Sequence, residues 1–255
     1  MMKFLSVCVL FFLIPLAVSA QQNEQLLFDQ ANTLLEDGNY FDAIQAYKTI
    51  EQSGQISGGL FLNMGIAATQ LDSMGLAKYY FLKASRFVTT NEEATKALQY
   101  VSSQFSRQSA TLPKLPWDKA VDIMKDGIGA FGVFLIGFCL VVLSILLLIA
   151  KWFRWLSFHR INSIIATFVV SGLLILLLSF YVDYVDQRFS EAVIIVTETQ
   201  VMQQPGESSD LVSLAYEGYS IVVDNRKSKT SEGWYYIRLG NGQFGWIQPE
   251  TVKIL

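Results

Sequence analysis

The chain carries few side chains with which to do chemistry. His159 is its one histidine, and Cys8 and Cys139 are its two cysteines. A nucleophile needs a base within hydrogen-bond reach. Neither a Cys–His nor a Ser–His–Asp set can be assembled on an exposed domain when the one imidazole lies in a short loop between two apolar runs. No cluster has the ligand spacing of a zinc site. No glycine-rich loop runs into Lys followed by Ser or Thr, so nucleotide binding has no support. The carboxylate pairs Glu92-Glu93 and Asp183/Asp186 read as a helix start and as the polar edge of an apolar run. No catalytic residue, cofactor or metal site is expected, and the remaining candidates are groups that bind a partner.

The elements that must position such groups are unequal in kind. Apolar residues make up 52% of the chain and charged ones only 16%, against about 25% charged in an ordinary soluble domain. Apolar segments must therefore dilute ordinary domains. The net charge of -3 gives no reason to expect nucleic acid as a partner. Residues 1–20 read as a signal peptide: Lys3, then an apolar run from Phe4 to Val18, then the small residues Val18-Ser19-Ala20 before Gln21. An uncleaved anchor is the alternative. Cys8 lies inside the run rather than at its end, so a lipoprotein site is not evident. Cleavage would leave Cys139 alone, and no disulfide could form within the mature chain.

Two runs are long enough to cross a bilayer, Ile128–Ala150 and Ile161–Val182. Each spans roughly 33 Å as a helix, which matches a hydrocarbon core of about 30 Å. Neither contains a charged residue, which argues against an ion or proton pathway. The loop 151–160 holds Lys151, Arg154 and Arg160 with Trp152, Phe153, Trp155 and Phe158, a pattern of basic and aromatic residues expected at a cytoplasmic interface. Lys114, Lys119 and Lys125 precede the first run, so the count of cations alone does not decide orientation. The signal peptide does: it sends the N-terminal domain outward, and two crossings return the chain to the same side.

Residues 24–91 superimpose on themselves with a shift of 34 residues. Leu27 meets Phe61, Ala31 meets Gly65, Leu34 meets Ala68, Ala43 meets Ala77, Tyr47 meets Phe81, and Ile50 meets Ala84. Small residues recur where helices approach closely, and aromatics recur where a helix pair needs a wedge. With Gly38-Asn39-Tyr40 as the turn, this resembles the tetratricopeptide repeat. The second repeat departs from it, because Asp72-Ser73-Met74 replaces Gly-x-Tyr. A helix over 92–106, with Leu98, Val101 and Phe105 inward, reads as a cap, which places the repeat domain at 21–106. Two repeats and a cap are few, so the unit is expected to lean on a partner or a second copy. The resemblance puts Asn32 and Asn63 where peptide-carboxylate-binding members carry asparagines. Phe28, Glu93 and Ala97 stand where the cations of that clamp would be. Solvated face residues are the plainer reading of the two asparagines. Pro113 and Pro116 argue for a linker over 107–127, with Trp117 at the membrane surface.

From Ala192 onward the period becomes two. Ala192–Val196, Leu214–Val223, Trp234–Leu239 and Gly245–Ile247 are strand candidates, with a hairpin at Asn241-Gly242 in which both residues need positive φ. With Glu217-Gly218, Gly233-Trp234 and Gly245-Trp246-Ile247, the segment 190–255 resembles a bacterial SH3-type domain. That resemblance puts Trp234 and Tyr236 on a ligand side, where exposed aromatics grip extended peptides or cell-wall stem peptides. Trp246 and Tyr235 read as core, and for Trp234 a residue that only covers a loop is the alternative to a ligand contact.

The whole order is that of a multidomain membrane protein: all-α tetratricopeptide-like repeats, a two-helix transmembrane hairpin, and an all-β SH3-like small barrel. It is similar to the BatE-type proteins of the Bacteroides aerotolerance operon. The resemblance implies a non-enzymatic scaffold of the bacterial cytoplasmic membrane, with both globular parts in the periplasm, in a complex with von Willebrand A-domain proteins connected with aerotolerance or envelope stress. A peptidoglycan-binding sensor is the alternative.

Overall fold

The computed structural model describes residues 25–107, 111–156 and 159–255. The expected leader and the loop residue Phe158 lie outside them. The chain divides into two compact units, one of them built from three separate stretches that carry helices and sheet, and the other from the hairpin and its surroundings.

The first unit contains five helices among the described residues: α1 (25–36), α2 (Tyr40–Gln52), α3 (Gly58–Gln70), α4 (Met74–Ser85) and α5 (Asn91–Gln104). Ser57 starts α3 by accepting a hydrogen bond from the Leu60 amide at 3.1 Å. The 34-residue shift survives in the backbone. Gly38 has φ +79° and Asp72, 34 residues on, has φ +56°. The Asn39 amide donates to the Leu34 carbonyl at 2.9 Å, and the Ser73 amide to the Ala68 carbonyl at 3.0 Å. Asp72-Ser73-Met74 thus makes the same left-handed helix end as Gly38-Asn39-Tyr40, because Asp tolerates that region better than most residues. Ala31, Ala43, Tyr47, Ile50, Phe61, Ala68, Ala77, Phe81 and Ala84 are all buried. Leu27 is not: it is 40% exposed. A Cβ on Gly65 would come within 2.5 Å of the Phe81 ring, so the small residue is what admits the aromatic wedge.

The same unit contains an antiparallel sheet of seven strands among the described residues: β1 (Phe189–Ile194), β2 (Glu198–Met202), β3 (Leu211–Tyr216), β4 (Ser220–Asp224), β5 (Tyr235–Leu239), β6 (Phe244–Ile247) and β7 (Val252–Ile254), in the order β3-β2-β6-β5-β4-β1-β7. The stretch 214–223 is not one strand. It breaks at Glu217-Gly218, where Gly218 has φ +79°. The hairpin between β5 and β6 also differs from expectation, since only Gly242 has positive φ (+87°). The Gly242 amide donates to the Leu239 carbonyl at 2.9 Å and the Leu239 amide to the Gln243 carbonyl at 2.8 Å. This is a three-residue loop with a glycine bulge, which needs one left-handed residue rather than two. The Asn241 side chain instead accepts from the Gln243 amide at 3.0 Å.

Strand β1 explains why 192–196 is apolar without alternation. Ala192 and Ile194 enter the sheet's own core with Val201, Ile221, Val223, Ile237, Leu239 and Ile247. Val193 points the other way and is fully buried among the helices, with Leu255 packed beside it. A strand covered on both faces reads as a continuous apolar run. The short repeat array therefore leans on the chain's own sheet.

The second unit holds α6 (Pro116–Gly127), α7 (Gly129–Trp152), α8 (Ile161–Arg188) and a short helix α9 (Asn225–Ser228). Residues 107–127 are not all linker: Pro116 occupies the first turn of α6, where its missing amide is no loss. The second apolar helix also runs past Val182 to Arg188. Only 17% of the most apolar window of either α7 or α8 is buried. A core helix of a soluble protein would be mostly covered, so these two apolar helices suit a membrane. They cross where Gly137 faces Gly172; a Cβ on Gly137 would lie 3.0 Å from the Gly172 carbonyl oxygen. Ser144 and Ser179 lie seven residues further along each helix, buried, and each donates to a carbonyl of its own helix. Small residues at this spacing let backbones approach when lipid removes the hydrophobic drive between helices.

Candidate partner-binding site

Asn32 on α1 and Asn63 on α3 are brought together. Asn63 Nδ2 donates to Asn32 Oδ1 at 2.9 Å, and the buried Tyr47 hydroxyl donates to the same oxygen at 2.6 Å. Asn63 Nδ2 also lies 3.3 Å from the Tyr47 oxygen. Both asparagines are half-buried, so they are not loose solvated residues. They satisfy each other and a core tyrosine. Burial pushes the Tyr47 hydroxyl above its ordinary value; the Asn63 contact lowers it and the Glu36 charge raises it further. Phe28 lies against Tyr47 at 5.9 Å between ring centres, and Ala97 packs on the same core. Glu93 is exposed. The clamp cations have no substitute at these positions.

On the sheet, the register Tyr236↔Trp246 and Arg238↔Phe244 gathers one aromatic face. Tyr236 stacks on Phe244 at 6.0 Å and meets Trp246 edge-on at 5.1 Å. Trp246 is buried, as expected, while Phe244 is 52% exposed. Trp234 is half-buried just before β5. Tyr235 packs against the sheet core. Phe244 had no place among the sequence candidates. Its signal was available, because it precedes Gly245-Trp246 at the position opposite Arg238.

The joint between helices and sheet is the most elaborate polar site of the first unit. The Gly75 amide, in the first turn of α4, donates to Glu217 Oε1 at 2.6 Å. A carboxylate there complements the positive end of the helix. Lys78 Nζ donates to the Gly218 carbonyl at 2.5 Å and lies 5.8 Å from the Phe105 ring. Burial pulls the Lys78 ammonium below its ordinary value. Arg107 lies over the Tyr216 ring at 4.1 Å. Glu217-Gly218, which entered as part of the resemblance to an SH3-type domain, is thus a docking turn.

Among the described residues no group of three or more His, Cys, Asp and Glu could hold a metal ion. Cys139 is exposed on α7. No family model matches the chain, and no curated protein matches it.

Proposed function

We infer that this protein is a membrane-anchored, non-enzymatic adaptor of a bacterial envelope complex. One observation carries it. The helices before the hairpin and the sheet after it share a buried core at Val193. A unit with one core lies on one side of a bilayer, so α7 and α8 leave and return to the same side, and the basic loop 151–160 faces the other. With the expected leader, that shared unit is periplasmic. Two repeats with matching left-handed turns supply a tetratricopeptide-like surface, and the short strands around Asn241-Gly242 suit an SH3-like barrel. Similarity to BatE-type proteins points to von Willebrand A-domain proteins as partners. Capture of the intact chain in mild detergent, with identification of co-purifying proteins, tests it. Envelope proteins with such domains are expected; a monodisperse protein that co-purifies with none would overturn it. Protease added to spheroplasts should reach both α1–α5 and the sheet.

A second function is favoured by the aromatic face of Trp234, Tyr236 and Phe244, which suits the flat surfaces of a cell-wall peptide or sugar. Intact protein in detergent should then sediment with purified peptidoglycan and lose that ability in Trp234→Ala and Phe244→Ala. Equal sedimentation of both variants, or none by the parent, would sink it.

A further inference from the structure

The second unit does more than cross the bilayer. Helix α6 is two-sided: Trp117, Ala120, Val121, Met124 and Ile128 recur at three- and four-residue spacing, with Asp118, Lys119, Asp122 and Lys125 on the other side. It packs against α7 and α8, yet Trp117 is 62% exposed, and Leu112, Leu115 and Ile123 are exposed with it. Lys125 lies 3.9 Å from Asp186, which sets the end of α6 beside the end of α8. Here α9 is also fixed. Arg188 Nε and Nη2 both donate to Asp224 Oδ2, at 3.0 and 2.8 Å. Asn225 Nδ2 donates to the Gln187 carbonyl at 3.2 Å and to Ser190 Oγ at 2.8 Å.

The clamp brings Arg226, Lys227 and Lys229, all exposed, to one end of the hairpin. Its acids are engaged internally: Asp122 with Lys114 at 2.7 Å, Asp126 and Asp186 with Lys125, Asp224 with Arg188, and Asp183 with Gln187. Asp118 sits in the first turn of α6, where the helix end favours a carboxylate. Height decides what the cations meet. Arg188 stands about 9 Å along the helix from Val182, the last apolar residue of the span. A headgroup layer is roughly 5–8 Å deep on each side. The flexible stems of Lys and Arg bridge that small difference.

We propose that α6 and α9 form a collar in the headgroup layer, and that Arg226 and Lys229 bind the phosphates of anionic phospholipids around the hairpin. This rests on α7 and α8 spanning the bilayer. Each surface cation strengthens such binding roughly fivefold. The full chain is reconstituted in phosphatidylcholine with a trace of spin-labelled phosphatidylglycerol or spin-labelled phosphatidylcholine, and the motionally restricted fraction of each label is compared. A restricted fraction with either lipid reports that the spans are embedded; its absence refutes the spans themselves. The collar requires a severalfold preference for phosphatidylglycerol that weakens in high salt. The variant Arg226→Gln/Lys229→Gln is expected to lose most of the preference while keeping the restricted fraction. Equal fractions in the parent, or a preference that survives the double substitution, would overturn the collar and leave the spans standing.

Discussion

Gly75→Ala separates helix propensity from the joint between helices and sheet. Inside a helix, Ala is favoured over Gly by up to about 1 kcal/mol, so α4 considered alone should be stabilised. The joint predicts the opposite sign. A Cβ on Gly75 would lie 2.6 Å from the Ile194 carbonyl oxygen, 2.7 Å from Glu217 Cγ and 3.0 Å from Ile195 Cα. Two of these three are backbone, at the end of β1 and just past it, and cannot rotate away. Overpacking of this kind costs about 1–3 kcal/mol. Displacing the sheet also stretches the 2.6 Å bond from the Gly75 amide to Glu217, a charge-assisted contact whose full loss is worth about 1.5–3 kcal/mol. The net expectation is destabilisation by roughly 1–4 kcal/mol after the helix gain is subtracted. For a unit of this size that lowers the melting temperature by about 2–4 °C per kcal/mol. The assay is thermal unfolding of the full chain in detergent, with Gly59→Ala as control. At Gly59 the nearest atom to an added Cβ is Phe28 Cζ at 3.9 Å, so that variant should be as stable as the parent or more so. Glu217→Ala combined with Gly75→Ala should be less harmful than the sum of the two, because they share one contact. A rise in melting temperature for Gly75→Ala, matching Gly59→Ala, would refute the joint.

Two further outcomes follow from single positions. Asp72 holds a left-handed φ of +56° where the first repeat has Gly38, so Asp72→Gly should stabilise the chain by about 0.5–1 kcal/mol and Gly38→Ala should destabilise it by about 1 kcal/mol, read as melting shifts of opposite sign. Burial alone would raise the Asp224 carboxyl, but the Arg188 guanidinium and the Lys227 and Arg226 amides outweigh it and hold the group below its ordinary value of 3.8. A depressed carboxyl contributes stability above the unfolded-state value and loses it as pH falls through the folded one. Protection from hydrogen exchange over 224–230, relative to the intrinsic rate at each pH, should therefore be high at neutral pH and fall in acid below the ordinary aspartate range, whereas Asp224→Asn should be less protected at neutral pH and lack the acid step.

Much of the architecture lies in short-range pattern. Uninterrupted apolar runs determine α7 and α8, since no soluble packing covers two such helices in tandem. The spacing from Ala31 to Gly65 and from Tyr47 to Phe81 determines the repeat, because each helix pair must pack small against large. Alternation over Trp234–Leu239 determines β5 and which of its residues face inward. The departures are where one element depends on another distant in the chain. Asp72 looked like a broken repeat because its residue types differ from Gly-x-Tyr, although its backbone conformation does not. Asn32 and Asn63 resemble a ligand pair in sequence, and only the approach of α1, α2 and α3 turns them toward Tyr47 and toward each other. Helix α6 was hidden by Pro113 and Pro116, because a proline stops a helix from within but suits its first turn, where Pro116 stands. Glu217 is 142 residues from the Gly75 amide it caps, beyond any local spacing rule. Tertiary structure alone decided that the domains on either side of the hairpin share one core. The physical reason lies in β1: Val193 can be buried only if helices cover the second face of its strand, and its neighbours in sequence do not say which helices those are.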